Sequence, residues 1–580
     1  MTPGPAFCVR EVPFSTFGSW LDLSRVTGEG TVADDVHLVS HQTGFHPVLR
    51  LVPRTAGERA GTTVTATPSR LTWTAPGGRI EAAFASPDTV HLRGQGLGLA
   101  VVAADHRLTP FSGAYLVPDP PGEAHVLTSY QTGRRYRLTV LPGPDGARAG
   151  VRVTGAQAVG AAERALHLGE DGDPWHLAIE ETDTARPPYR PATTFEEVVA
   201  ASDAAFGAFV DAVAPWRDRE TPAAALAAYV LWSATVRPAG FVTRPAVLMS
   251  KHWMDKVWSW DHCFTALALA GLPELAWDQF EVPFDHQDGA GALPDSVAHS
   301  EVLRNFVKPP IHGWALHHLR RRTPAPDRDR LAAVYDRLGR WTRFWLDHRR
   351  AGGALAHYQH GNDSGWDNAT TFDPERLVET ADLGAFLVLQ LRQLADLAVT
   401  LDRPDDAATW TAAARRMLDA VLRELWTGER FRARGVVSGR TWTGASLLDL
   451  MPIVLGEQLP PPVAARLAAG IEGHLTEHGL ATERPSSPRY AADGYWRGPI
   501  WAPATVLVED GLRRAGHAGL ADRIGRQFLD LCERSGFAEN FDALTGTGQR
   551  DLAYTWTAAG YLMLAGAAVH RRAAGGPTAG

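Results

Sequence analysis

Arg186-Pro187-Pro188-Tyr189-Arg190-Pro191-Ala192-Thr193-Thr194-Phe195-Glu196-Glu197 is where this chain changes its hydrophobic period. The prolines fix φ and withhold backbone donors, so the run reads as a linker. Upstream of it, short runs alternate in character: Thr62–Thr67, Arg79–Phe84 and Arg135–Val140. Gly, Pro and Asp clusters interrupt them about every ten residues, the spacing of an antiparallel sandwich. Downstream, Thr193 or Thr194 caps a helix whose first turn carries Glu196 and Glu197, the signature of a helix start. Helical patterns then recur near 220–236, 260–271, 309–322, 327–350, 379–400, 403–425, 444–456, 462–473, 499–514, 518–534 and 551–572. The expected organisation is an antiparallel β-sandwich domain over residues 1–190 and a helical domain over 191–580. About a dozen helices without a 34- or 40-residue repeat argue against a simple solenoid. They suit a six-hairpin (α/α)6 toroid, although periodicity alone does not separate that from another large helical domain.

Composition narrows the function classes. At 580 residues the chain exceeds what one core serves. With 45% hydrophobic and 21% charged residues it reads as globular. A formal charge of −8, with arginines scattered along the chain, argues against nucleic acid as a partner. The start, Met1–Trp20, has no basic segment leading into an apolar one, and no run of eighteen apolar residues suggests a membrane span. Cys8, Cys263 and Cys532 are too widely spaced for a disulfide framework or a Cys metal pair. A cytoplasmic protein with no cofactor is the expectation.

Of 19 tryptophans, only Trp20, Trp73 and Trp175 precede residue 190. The others gather in the helical part, many in loops rich in Gly, Asp and His. Tryptophan usually fills a core; in polar loops it also suits a site that stacks the flat apolar faces of sugar rings. Four loops stand out. Lys251-His252-Trp253-Met254-Asp255-Lys256-Val257-Trp258-Ser259-Trp260-Asp261-His262 places an aspartate at a helix entrance, where it either caps the helix or accepts hydroxyls. Gly361-Asn362-Asp363-Ser364-Gly365-Trp366-Asp367-Asn368 sets two carboxylates and an indole among turn formers. Tyr495-Trp496-Arg497-Gly498-Pro499-Ile500-Trp501 surrounds a cation with aromatics, with Pro499 expected in the first helical turn. Phe537-Ala538-Glu539-Asn540-Phe541-Asp542 adds a second acid loop, followed by Tyr554-Thr555-Trp556 at the start of the last helix. Taken singly, Asp363 and Asp367 are caps or turn residues. One acid in each of two aromatic-flanked loops is also what glycosidic bond cleavage requires.

Five strings, WSWDHCF (258–264), KPPIHGWAL (308–316), SGWDNA (364–369), YWRGPIW (495–501) and AENFDALTG (538–546), resemble glycoside hydrolase family 63. Trehalases of family 37 are similar in the Ser-Gly-Trp-Asp core. The resemblance implies an (α/α)6 barrel and an inverting mechanism on α-glucosides, with the β-rich first domain similar to the sandwich of larger members. Matched by position, it implies Asp367 as general acid and Glu539 as general base. It implies Trp258, Asp261, Tyr495, Gly498 and Trp501 as sugar-holding residues, with Asp363, Trp366, Arg497 and Trp556 in the same motifs. The chain departs from the pattern after the acid, reading Asn368-Ala369-Thr370-Thr371 where relatives often have Asn-Ser-Pro-Arg. That leaves open the subsite for the leaving group.

The mechanism makes physical demands. Asp367 must stay protonated well above the usual Asp value of about 4, which requires desolvation or a negative neighbour; Trp366 and Asp363 are the candidates to provide them. Glu539 must be ionised to activate water, and the two carboxyl groups should stand roughly 6.5–9.5 Å apart. Histidines 252, 262 and 312 keep a sugar epimerase or isomerase on the same toroid in play. No His-x-x-x-His spacing points to a metal. A phosphorylase would need an anion pocket rather than a base, and a silent carbohydrate-binding protein would have lost one of the two acids. The expected substrate is a small α-linked disaccharide, oligosaccharide or glucosylated metabolite, with the leaving-group side set by loops near 284–305 and 484–494. Asp285, His286, Gln287, Asp288 and Arg489 there permit an acidic aglycone.

Overall fold

The computed structural model describes residues 4–104, 114–143, 146–158 and 161–574. The chain forms two compact units. One comprises Met1–Ala212, Ala228–Lys256 and Ala298–Ser300; the other comprises Val213–Ala227, Val257–Val297 and Glu301–Gly580.

The first unit holds two antiparallel sheets. One runs in the order Leu21–Gly28, Thr31–Ser40, His46–Thr55, Gly98–Ala103, Ala165–Leu168, Val151–Thr154, with Glu58–Arg59 pairing onto His46–Thr55. The other runs Ala114–Asp119, Ala124–Ser129, Arg135–Leu141, Trp175–Thr182, Thr89–Gln95, Gly78–Ser86, Arg70–Ala75, Thr63–Thr67. Alternation along the strands sends Leu23, Leu38, Leu51 and Val101 of the first sheet, and Ile80, Leu92, Leu138 and Leu177 of the second, into one shared core. After the linker, the Thr194 hydroxyl accepts the Glu197 N–H at 3.2 Å while the Glu197 carboxylate accepts the Thr194 N–H at 2.8 Å. This capping box starts the helix Phe195–Val213.

The second unit is built around a ring of six helical segments: Asp261–Ala268, His312–Arg322, Ala381–Thr400, Leu447–Gln458, Ala502–Arg514 and Thr555–Ala574. Each packs on the next, and the last packs on the first. A second layer lies against them. Pro273–Glu281 covers the first, Arg328–His348 and Pro404–Ala420 the third, Pro461–Glu472 the fourth, and Ala518–Ser535 the last two. Ala381–Thr400 is the one segment among the described residues long and apolar enough to cross a membrane; here it is mostly buried in the ring. The segment Leu447–Gln458 winds as a 3₁₀ helix, with Pro452 inside it and Gly456 at φ +57°, both of which interrupt the α-helical ladder.

Two local expectations change. The helix Pro273–Glu281 carries three acidic residues, Glu274, Asp278 and Glu281, in one short stretch, too short and too polar for a 3.6-residue pattern to register. Pro499 does not open the helix after the Tyr495 loop. Ile500 is instead paired as extended chain, its N–H donating to the Phe541 carbonyl at 2.7 Å and its carbonyl accepting from Phe541 N–H at 3.1 Å. The helix starts at Ala502, and Pro503 takes the first turn.

Candidate active site

The predicted residues converge at the N-terminal ends of the ring helices. Asp261 is the first residue of Asp261–Ala268; it makes no cap, since the N-cap position is Trp260 and no side-chain cap bond forms. Its side chain is buried, and Oδ2 has no hydrogen-bond partner among the described residues. Burial pushes its pKa up to about 8; Lys308 pulls against this, while Asp295 and Asp367 add to it.

Lys308 organises this cluster. Its buried ammonium lies 3.0 Å from the Asn362 carbonyl oxygen, 3.1 Å from Asp295 Oδ1 and 3.9 Å from Asp367 Oδ1. Burial alone would lower its pKa, but the carboxylates of Asp367, Asp295 and Asp261 outweigh burial and raise it. The ammonium is therefore a fixed positive charge.

Asp367 sits in the turn that follows Gly361–Ser364. Its side chain stays 29% exposed, while Oδ1 is fully covered and accepts no hydrogen bond among the described residues. One oxygen thus faces the interior and the rest stays open. Burial raises its pKa; Lys308 and His360 oppose this and Asp295 reinforces it. The negative neighbour is Asp295, not Asp363 as expected from proximity in sequence.

Asp363 is the clearest correction. It is buried, and its carboxylate accepts from Val307 N–H at 3.1 Å, Gln359 N–H at 2.9 Å and Arg349 Nη1 at 2.9 Å. Both oxygens are engaged in holding the loop, and the side chain is buried within it.

Gly365 decides how that loop turns. At φ +74° it occupies the left-handed region, and a Cβ there would lie 2.2 Å from the Trp260 ring. Only glycine meets both conditions.

Glu539 approaches from the other acid loop, its N–H donating to the Asp551 carbonyl at 2.6 Å. Burial pushes its pKa up to about 8, with Asp551 adding to the effect and Arg550 and Tyr495 opposing it. Tyr495 is raised by burial and by the Glu539 and Asp367 carboxylates, and it hydrogen-bonds Glu539. Tyr495 and Arg550 both have φ +62°, and the Arg550 guanidinium lies 5.0 Å from the Tyr495 ring centroid. Two non-glycine residues in this region, one stacked on the other, store strain beside Glu539.

The tryptophans divide into two groups. Trp366, Trp496 and Trp501 are buried in a stack, with ring centroids 4.6 Å apart for the first pair and 4.2 Å for the second. Trp556 packs edge-on to Trp260 at 4.8 Å. These rings form one buried aromatic cluster. Trp258 is half-buried, on a two-residue strand whose partner across the register is Ser296.

Arg497 and Gly498 work between loops. Arg497 Nε donates to the Asn368 carbonyl at 2.7 Å and its Nη2 pairs with Asp373 at 2.5 Å. Gly498, at φ +156°, would place a Cβ 2.3 Å from the Ala491 carbonyl oxygen. Asn368 completes the latch, accepting from Trp496 N–H and donating to the Gly494 carbonyl, both at 3.0 Å. In the departing segment, Thr370 donates to Glu483 at 2.8 Å and Thr371 to Asp449 at 2.9 Å.

Asp295, Lys308, Arg550 and Asp551 were not among the predicted residues. Lys308 had a signal: it is one of three lysines in an arginine-rich chain and heads the KPPIHGWAL string. His312 and His262 do not form an acid–base pair. His312 is buried between the Ser259 carbonyl at 3.0 Å and Trp341 Nε1 at 3.2 Å, and burial lowers its pKa to about 4. His262 Nδ1 is bonded to the Trp258 carbonyl at 3.0 Å.

Residues 254–557 match the family model described as the mannosylglycerate hydrolase MGH1-like glycoside hydrolase domain. The chain belongs to this family. The match covers all the residues just described, and the protein is a glycoside hydrolase of family 63. It is 27% identical over 414 residues to the mannosylglycerate hydrolase of Rubrobacter radiotolerans, spanning 55% of this chain and 92% of that one. It is 24% identical over 456 residues to the glucosylglycerate hydrolase of Mycolicibacterium hassiacum, spanning 59% and 97%. In fold it is similar to the crystal structure of the GH63 mannosylglycerate hydrolase from Thermus thermophilus in complex with glucose, with a TM-score of 0.51 and 24% identity over 58% of this chain and 98% of that one.

Proposed function

We propose that this chain hydrolyses a small α-linked hexoside of an acidic aglycone, of the glucosylglycerate or mannosylglycerate class, with inversion. On this reading the six-membered ring of helices and its second layer form an (α/α)6 barrel, the first unit a β-sandwich, and the N-terminal ends of the ring helices the floor of the sugar site. The observation that carries the reading is the set of buried carboxyl oxygens left without partners, on Asp261 and Asp367, around one fixed ammonium. A buried polar atom left unpaired calls for an explanation, a catalytic role or a bound water or ligand among them, and vicinal sugar hydroxyls suit carboxylate acceptors.

Asp367 donates its proton to the glycosidic oxygen, and Glu539 takes one from the attacking water. Asp261 accepts sugar hydroxyls and Trp258 lies beneath the ring, while Trp366, Trp501 and Trp556 back the floor. Gly498 and Arg497 hold the loops that frame the site.

The free-enzyme electrostatics add a condition. Glu539 lies beside the Asp551 carboxylate, whereas Asp367 lies 3.9 Å from an ammonium. On this reading the Lys308 ammonium keeps the Asp367 pKa below that of Glu539, the reverse of the productive arrangement. The expected kcat/KM profile is a bell whose acid limb belongs mainly to Asp367 and whose alkaline limb lies near pH 8, at Glu539.

The deciding experiment is proton NMR of the anomeric signals during hydrolysis of α-glucosylglycerate and α-mannosylglycerate. The β-hexose appearing first supports the reading. The α-anomer appearing first, or no hexose released from any small α-hexoside, overturns it.

A further inference from the structure

We propose that the helical unit carries a second small-molecule site, at the end of the ring away from Asp367 and Glu539, which takes a small hydroxylated carboxylate. The catalytic candidates sit at the starts of the ring helices. This cavity, of about 410 Å³, is lined mainly by their later turns, with His317 and His318 of His312–Arg322, Arg392 and Gln393 of Ala381–Thr400 and Arg514 at the end of Ala502–Arg514, and by Gly313 and Trp314 from the first turn of His312–Arg322. A volume of this size falls within the range of small-ligand sites.

Three observations make it more than a gap between helices. Gln393 is only 3% exposed, lines the cavity, and has no hydrogen-bond partner among the described residues. A buried amide with four bonding positions unused is a binding group awaiting hydroxyls. Arg392 and Arg415 both line the opening, and neither guanidinium makes a hydrogen bond or ion pair among the described residues. The remaining charges are mostly committed. Arg514 donates to Asp510 at 3.0 Å and to the Val454 carbonyl, and lies 3.4 Å from Glu457. Asp396, whose carboxylate also acts on Arg320, is the one acidic group on the rim outside an ion pair among the described residues. Two free guanidiniums against one carboxylate leave the opening positive. The forked geometry of arginine selects a planar carboxylate over a spherical anion. Trp314 closes the floor, its Nε1 held by Asp510 at 2.9 Å, so the ring cannot rotate away.

Sodium gluconate supplies both the carboxylate and the hydroxyls, and isothermal titration calorimetry on the full chain is the test. Saturable binding is expected. It should weaken at least tenfold, equivalent to about 1.4 kcal/mol, in the Arg392→Ala/Arg415→Ala double variant and in Gln393→Leu, and be unchanged in Glu539→Gln. The arginines are exposed, so their removal leaves the fold and glycoside hydrolysis intact. No saturable binding at millimolar gluconate overturns the proposal. So does equal binding of sulfate, which would make the opening a general anion patch. Binding lost in Glu539→Gln but retained in the arginine double variant would place gluconate in the catalytic site, and also overturns it.

Discussion

Lys308→Met tests the electrostatic design of the acid directly. The Lys308 ammonium lies 3.9 Å from Asp367 Oδ1, and at an effective dielectric constant of about 20 that pair interacts by about 4 kcal/mol. Divided by about 1.36 kcal/mol per pH unit, this is about 3 units of pKa. Asp367 keeps an open edge that solvent screens, so the expected shift is about 1–3 units. The sign follows from charge. The cation stabilises the carboxylate, so its loss raises the Asp367 pKa, and the acid limb of kcat/KM moves to higher pH. Asp295→Asn provides the opposite arm, because it removes a negative neighbour and moves the same limb to lower pH. The assay is kcat/KM across pH 4–9 for the wild type and both variants, with melting temperatures measured in parallel. If Lys308 only supports the fold, Lys308→Met lowers the melting temperature and leaves the limb in place. Limbs that move in the same direction in the two variants, or do not move, refute the reasoning.

Asp551→Asn removes the neighbouring carboxylate that adds to the raised pKa of Glu539, so the alkaline limb should move below pH 8 in the same pH series. Gly365→Ala forces a left-handed backbone and a Cβ 2.2 Å from Trp260; strain and overpacking together should cost about 2–4 kcal/mol in urea unfolding. Asp382 and Asp449 are buried, which pushes them up to about 6 and about 7 respectively. Because their folded values lie above the unfolded ones, their contribution is most favourable below about pH 4 and declines as pH rises through 6 and 7. Differential scanning fluorimetry should show a fall in melting temperature from pH 5 to 8, and Asp382→Asn/Asp449→Asn should flatten it.

Much of this was legible from local chemistry. The strand alternation at Thr63–Thr67 and Gly78–Ser86 and the capping box at Thr194 and Glu197 depend on near neighbours, so the residues themselves revealed them. What stayed hidden depends on contacts across the ring. Asp363 and Asp367 look alike as sequence, each an aspartate in a Gly- and Ser-rich turn. They diverge because Arg349, Val307 and Gln359 meet one of them, while Lys308 and Asp295 meet the other. Most of those partners are distant along the chain, and no periodicity predicts them. Likewise the tryptophan count suggests sugar stacking, but burial shows that Trp366, Trp496 and Trp501 stack on one another, while Trp253 and Trp258 stay half-open.

The Glu539 side shows how one substrate-induced change could reorder the protons. Tyr495 donates to Glu539, and the Arg550 guanidinium rests on the Tyr495 ring while donating to Asn540 at 3.0 Å and pairing with Asp493 at 2.6 Å. Both Tyr495 and Arg550 are held at φ +62°, where a non-glycine residue costs about 1–3 kcal/mol. The arrangement persists because Asn540, Asp493 and the aromatic stack hold it in place. Strengthening either opposing group, Arg550 or Tyr495, stabilises the Glu539 carboxylate, the form that takes the proton from water. Substrate binding and proton placement are then coupled, so the alkaline limb of kcat should lie below that of kcat/KM; limbs that coincide would separate the two events.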